Sequence, residues 1–113
     1  MSATEPAPDA PIHLSDATAF DEHVAEHDVV LVDFYADWCG PCQMMEPTVE
    51  AVASETDAAV LKVDVDEHQA LAAEYGVQSI PTLIVFADGE PADQMIGAQT
   101  QDVLSDAVTA RTA

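Results

Sequence analysis

The chain's two cysteines stand in one run, Trp38-Cys39-Gly40-Pro41-Cys42. Thiols separated by two residues are close enough to pair, so they can pass reversibly between dithiol and disulfide. The run follows an apolar, strand-like stretch and opens a helix-like one. At a helix N-terminus the positive end of the dipole favours a thiolate, and the thiolate is the nucleophile in disulfide exchange. Cys39, first and exposed at the helix mouth, is therefore the candidate attacking thiol. Cys42, one turn inside, is the candidate resolving thiol. Gly40 lets the backbone approach closely at the bend, and Pro41 stiffens the turn that holds the sulfurs. Trp38 either packs over the disulfide and offers apolar surface to partners, or is simply a large aromatic. The competing uses of the cysteines are a buried structural pair and half of a zinc site. Tetrahedral zinc needs two further ligands. His23 and His27, four apart on one helix face, have the spacing, but they read better as solvated members of an acidic helix, and no metal is expected.

Asp33 stands in the middle of the apolar run Val29 to Ala36. A buried, unpaired carboxylate is costly, so Asp33 must have a raised pKa or a partner. Titrating near neutrality beneath the cysteines, it can take the proton of Cys42 when that thiol has to attack. The alternative places Asp33 in solvent at an edge, which the apolar residues on both sides disfavour. Lys62, the chain's single lysine, lies between Leu61 and Val63. It either compensates the charge of Asp33 or snorkels out of its strand. Ile80-Pro81 precedes another apolar run, where proline at a strand start is tolerated. Gly89 and Gly97 read as hairpin and loop glycines.

These residues must be positioned by alternating elements. Ile12 to Leu14 forms a short strand. Ser15 caps a helix over about 16–27 that turns Ala17, Phe20 and Val24 inward. The stretches 29–36, 60–65 and 82–87 read as strands buried on both faces. Between the first two, Pro41 suits a first helical turn, and Met45, Val49, Val52 and Ala53 give helical spacing to about residue 55, kinked at Pro47. Asp66 and Gln69 make a capping box for a short helix that Gly76 closes. Asp88-Gly89 signals a hairpin into an edge strand near 91–96, confined there by Pro91. Thr100 caps a last helix with Val103, Leu104, Ala107 and Val108 inward and Arg111 at its C-terminal end. The order is an α/β chain, a central sheet with crossovers between parallel strands and helices on both faces.

The 113 residues suffice for one domain with a real core, expected over 12–113 after a disordered arm at 1–11. With 20 alanines, 13 valines and 5% aromatics, that core is built from small pieces. Met1 to Pro11 has neither a basic nor an apolar segment, so no signal peptide is expected. No run is long enough to span a bilayer. A cytoplasmic location follows, where thiols are kept reduced and a paired Cys motif reads as catalytic. Two cations against 22 carboxylates leave a net charge of −20, which disfavours nucleic acid and anionic membranes and favours a monomer. An acid-rich, lysine-poor surface of this kind resembles proteins of salt-loving microbes.

Over roughly Ile12 to Arg111 the chain resembles the thioredoxin family. The resemblance rests on VDFYADWCGPCQMMEP at 32–47, the Lys62 strand, SIPTLIVFADGE at 79–90 and IGA at 96–98. It implies a thioredoxin fold, a mixed sheet of about five strands flanked by about four helices. It also implies Cys39 and Cys42 as the active dithiol, Asp33 as the buried acid/base and Lys62 as its neighbour. Pro81 would be cis and face the cysteines, with Trp38, Ile80, Gly97 and Ala98 lining a peptide groove. No cofactor beyond the disulfide is implied. The partners implied are a thioredoxin reductase or equivalent electron donor and disulfide-bearing client proteins. A general protein-disulfide reductase is the leading function. A reductase or isomerase dedicated to one partner, and a redox-independent binding module, are the alternatives. Tyr35 stands where the family often has Trp, Gln43 where it often has a basic residue, and Gln78 and Ser79 depart beside the groove.

Losing a cation at Gln43 and gaining an acidic field both disfavour the Cys39 thiolate, and salt screens the field to about 3 Å at molar strength. The Cys39 pKa is therefore expected to fall between low and molar KCl. A thiol titration giving the same midpoint in both would refute this.

Overall fold

The three apolar runs become the inner strands of one five-stranded sheet in the computed structural model, which describes residues 6–112. In chain order the elements are β1 (Ile12–His13), α1 (Phe20–Glu26), β2 (Val29–Tyr35), α2 (Gly40–Met44) and α3 (Glu46–Glu55). They continue with β3 (Ala59–Asp64), α4 (Gln69–Glu74), β4 (Thr82–Ala87), β5 (Glu90–Ile96) and α5 (Gln101–Thr109). The sheet order is β1-β3-β2-β4-β5, which puts β2 at the centre. There Asp33 is in register with Lys62 on β3 and Leu83 on β4.

The pairs β1–β3 and β3–β2 are parallel, while β2–β4 and β4–β5 are antiparallel. The expected fold therefore holds as a mixed sheet. The connection through α4, however, does not deliver a parallel neighbour, because β4 runs back along the free edge of β2. Successive residues of a strand face opposite ways. On one face, Val30, Val32, Phe34, Leu61 and Phe86 pack against Phe20 and Val24 of α1 and Leu71 and Ala72 of α4. On the other, Leu31, Val60, Leu83 and Val85 pack against Val49, Val52 and Ala53 of α3 and Leu104 and Val108 of α5. By the same alternation Asp33 and Lys62 belong to the face that α3 covers.

Few aromatics are present, and four of them are gathered on the first face. The Phe20 ring centre lies 5.5 Å from Tyr75 and 5.6 Å from Phe86, and Phe34 lies 6.4 Å from Tyr75. Tilted and edge-on rings add attraction beyond their buried area.

Local chemistry explains the element ends, including several that differ from expectation. Asp16 rather than Ser15 starts the first helical segment. Its carboxylate accepts from the Thr18 N–H at 2.9 Å and hydroxyl at 2.8 Å, and a 3-10 turn at Ala17–Ala19 precedes α1. Ala17 consequently stays exposed. The helix after the cysteines is divided at Met45, and Pro47 falls in the first turn of α3, where its missing N–H costs nothing. At Gly76 (φ +69°) the Val77 N–H donates to Ala72 and the Gly76 N–H to Ala73, a Schellman closure of α4. Asp88 and Gly89 both have positive φ, as a two-residue hairpin turn requires. The Thr100 hydroxyl accepts from the Val103 N–H and caps α5, but Val103 itself faces solvent. Arg111 lies beyond the last turn and donates to the Ala92 carbonyl at 3.2 Å, tying the chain end to β5. Of the expected arm, residues 1–5 lie outside the described residues; Pro6 to Pro11 has no regular structure, and Ala7 rests on the α1–α4 core. Among the described residues no helix is long and apolar enough to cross a membrane.

Phe20 joins α1, α4 and β4 through one ring, so Phe20→Ala is expected to cost about 3–5 kcal/mol. The urea midpoint in molar KCl measures it, and a change under about 1 kcal/mol would show that the aromatic cluster does not hold this face.

Candidate active site

The turn from β2 into α2 carries the sulfurs. Its residues Ala36, Asp37 and Trp38 leave the strand, the Cys39 N–H donates back to the Ala36 carbonyl, and Cys39 becomes the N-cap of α2. Cys39 and Cys42 are joined as a disulfide across a Cα–Cα distance of 5.2 Å. The Cys42 N–H donates to Cys39 Sγ at 3.2 Å, so one of the helix's free amides is directed at the candidate attacking sulfur. Both cysteines are buried, at 4% and 3% exposure, against the expectation of an exposed Cys39. Tyr35, Val65 and Ile80 close around them, and Cys39 Sγ lies 4.0 Å from the Ile80 carbonyl oxygen.

Trp38 is 71% exposed, and its indole N–H donates to Asp66 Oδ2 at 2.8 Å. The expected capping box does not form, because α4 begins at Gln69 with His68 as its N-cap and without a side-chain cap. Beside Cys39, a cleft of about 340 Å³ is lined by Trp38, Val65, Val77, Gln78, Ser79 and Ile80. The Ile80-Pro81 bond is cis, Pro81 is buried, and the Gly97 N–H donates to the Pro81 carbonyl at 2.8 Å. Gly97 has φ +93°, a region disfavoured for other residues, and Ala98 next to it is exposed.

Asp33 is 1% exposed, and its Oδ1 has no hydrogen-bond partner. Burial pushes its carboxyl up to about 6, against a downward pull from Lys62 and with a smaller upward push from Glu46. Lys62 is buried too, so it does not snorkel to water. Nor does it bond Asp33 Oδ1. Its Nζ lies 3.4 Å from Glu46 Oε1 and 4.2 Å from the centre of the Tyr35 ring. Glu46 carries a weaker sequence signal than the residues around it: its place one turn beyond Cys42, a carboxylate opposite the only lysine. A second cleft of about 250 Å³ brings it together with Cys42, Tyr35, Ala36, Asp37 and Gln43. Gln43, lacking a charge, instead donates its side-chain amide to the Asp37 carbonyl and braces the turn.

The histidines lie away from this site. His27 is buried at the end of α1 rather than solvated. Among the described residues no group of three or more His, Cys, Asp or Glu side chains is arranged to hold a metal.

Comparisons with known proteins agree with one another. A family model described as Thioredoxin matches residues 11–110. The thioredoxin of Staphylococcus haemolyticus is 51% identical over 89 residues, covering 77% of this chain and 85% of the relative. Among solved structures, a single-site mutant of the thioredoxin from Halobacterium salinarum is 52% identical with a TM-score of 0.92, covering 96% of each chain. The oxidised mitochondrial thioredoxin 3 of Saccharomyces cerevisiae is 33% identical with a TM-score of 0.79, covering 88% of this chain and 93% of that one.

A carboxyl whose folded pKa is raised binds more protons in the native than in the unfolded state, so it lowers stability as pH rises from about 4 to about 6. Asp33→Asn cannot ionise. Relative to the parent it is expected to gain about 2–3 kcal/mol between pH 4 and pH 8. Urea midpoints of both proteins across that range measure the gain, and a pH-independent difference would mean Asp33 titrates normally.

Proposed function

The chain belongs to the thioredoxin family of disulfide oxidoreductases, and on that premise we propose that it is a general reductase of protein disulfides with Cys39 attacking and Cys42 resolving. Thioredoxins need no cofactor, are reduced by thioredoxin reductase and act on disulfide-bearing clients. The observation that carries the roles is the direction of one bond, from the Cys42 N–H to Cys39 Sγ at the head of α2. A negative sulfur at Cys39 gains from that donor and from the helix end; Cys42 has no such support.

In the reduced protein, Cys39 thiolate attacks one sulfur of a client disulfide. A Cys39–client S–S bond forms, the client S–S bond breaks, and the client's second sulfur leaves as a thiolate that takes a proton from water. Asp33 accepts the proton of Cys42, directly or through one water. Cys42 thiolate then attacks Cys39 Sγ, closing the intramolecular disulfide and expelling the client's remaining thiolate. Two electrons have passed from the dithiol to the client, and a reductase of the thioredoxin type, or an equivalent dithiol donor, returns them. A carboxyl near 6 suits this step, since it is ionised at neutral pH yet basic enough to hold a proton in passing.

The groove reading assigns Trp38, Ile80, Pro81, Gly97 and Ala98 to client binding. It is supported by the cleft beside Cys39 and by the exposed Trp38 and Ile96 on an otherwise acidic chain. We read the working site as a cytoplasm of high salt, with the protein a monomer. A charge of −20 supports both, and the likeness to the Halobacterium thioredoxin supports the first.

The test is reduction of insulin disulfides in molar KCl with dithiothreitol as donor. The parent protein is expected to be active and Cys39→Ser inactive at background rate. Cys42→Ser is expected to accumulate a mixed disulfide visible on a non-reducing gel. Asp33→Asn is expected to slow release of that mixed disulfide by about 10²-fold at pH 7 without preventing its formation. Full activity in Cys39→Ser would refute Cys39 as the attacking thiol, and inactivity of the folded parent would leave the binding-module alternative standing.

A further inference from the structure

We propose that Glu46 is a positioning residue: by holding the Lys62 ammonium against its own carboxylate, it keeps that cation off the Asp33 carboxyl and so sets how strong a base Asp33 is.

Asp33 and Lys62 are register neighbours on adjacent strands and share the face covered by α3. In a chain with one lysine, the shortest way to neutralise a buried carboxylate is a direct bond between the two. The structure does otherwise. Lys62 Nζ is 3.4 Å from Glu46 Oε1 and sits 4.2 Å over the Tyr35 ring, while Asp33 Oδ1 has no partner. A buried oxygen left unbonded is costly. That cost persists because the ammonium has two other attractive partners, a carboxylate and an aromatic face. Glu46 is half exposed and lines the same cleft as Cys42, at the site where the Cys42 proton has to move.

The charged and titratable groups that reach Asp33 are few. Lys62 comes from β3 and Glu46 from α3, Tyr35 lies on its own strand, and β4 presents the apolar Leu83. Lys62 favours the ionised carboxyl. Glu46 disfavours it twice, through its own negative charge and by drawing Lys62 aside. Replacing Glu46 with a neutral residue therefore acts in one direction only, making Asp33 a stronger acid and a weaker base. The inference rests on the reading of Asp33 as the proton acceptor for its importance to the reaction, but the control of Asp33 by Glu46 can be measured without it.

The experiment uses the oxidised full chain in molar KCl, where neither cysteine titrates, and follows the Asp33 side-chain carboxyl carbon by 13C NMR against pH. In Glu46→Gln the midpoint is expected about one unit lower than in the parent. In a Lys62→Met background the same substitution is expected to shift it by less than half as much, since there is no cation left to release. Should Lys62→Met not fold, Lys62→Gln serves for that arm. An unchanged midpoint in Glu46→Gln overturns the proposal, even if the urea midpoint falls, because that is what a merely structural residue does. An equal shift with and without Lys62 also overturns it, since Glu46 then acts by its own charge alone. Failure of Asp33 as the acceptor is read separately, in the rate at which Asp33→Asn releases a mixed disulfide.

Discussion

Burying Asp33 at the centre of the sheet takes a carboxyl group out of water and leaves one of its oxygens without a hydrogen bond. That one unfavourable placement organises the site around it. It requires a strand flanked on both sides, since an edge strand would let water reach the group and return it to ordinary acidity. It requires a rigid apolar setting, which Leu31, Leu83, Val49 and Val52 supply on the same face. And it leaves a cation beside it with a choice of partners. A sheet that frayed at β2 would lose the raised carboxyl before it lost the sulfurs.

Scarcity of positive charge sharpens this. Lys62 and Arg111 are the only strong cations, and Arg111 is spent on the Ala92 carbonyl beyond the end of α5. Lys62 is the only one left for the site, and it is buried. Exposed ion pairs are weak because water and salt screen both partners. Here one partner is buried and the other half exposed, so the pair is less screened than a surface bridge and still open to the ionic medium. The many other carboxylates far outnumber the cations, and their mutual repulsion falls off only when salt shortens its range.

The sequence makes the strands and the cysteine turn legible for one reason: both are local. Near-continuous apolar runs such as Val29 to Ala36 admit little but a doubly covered strand, and Pro41 and Gly76 act through their own backbone preferences. What escapes is whatever a distant residue decides. Asp66 has the spacing of a helix cap, yet α4 starts only at Gln69, and the Asp66 carboxylate accepts from the Trp38 indole, 28 residues away. Lys62 has the placement of a counter-ion to Asp33, yet Glu46 reaches it from another element. His27 looks like a surface residue of an acidic helix until the helix ends one residue before it and turns it inward. The antiparallel course of β4 along β2 is likewise a pairing between distant segments that no local pattern states.

The two sulfurs also divide the surface between them. On the side of Cys39 the cleft is mostly apolar, with Trp38, Val65, Val77 and Ile80 in its lining. On the side of Cys42 it is polar, with Tyr35, Asp37, Gln43 and Glu46. Disulfide exchange makes separate demands on the two. A client must be held by contacts indifferent to its sequence, which apolar surface and open backbone provide. A proton must be removed and lost to water, which needs ionisable groups and a wet path. In the proposed reading, a client that covers Cys39 leaves the separate cleft at Cys42 open. Both cysteines are almost wholly buried, and on that reading the client has one approach and the proton another.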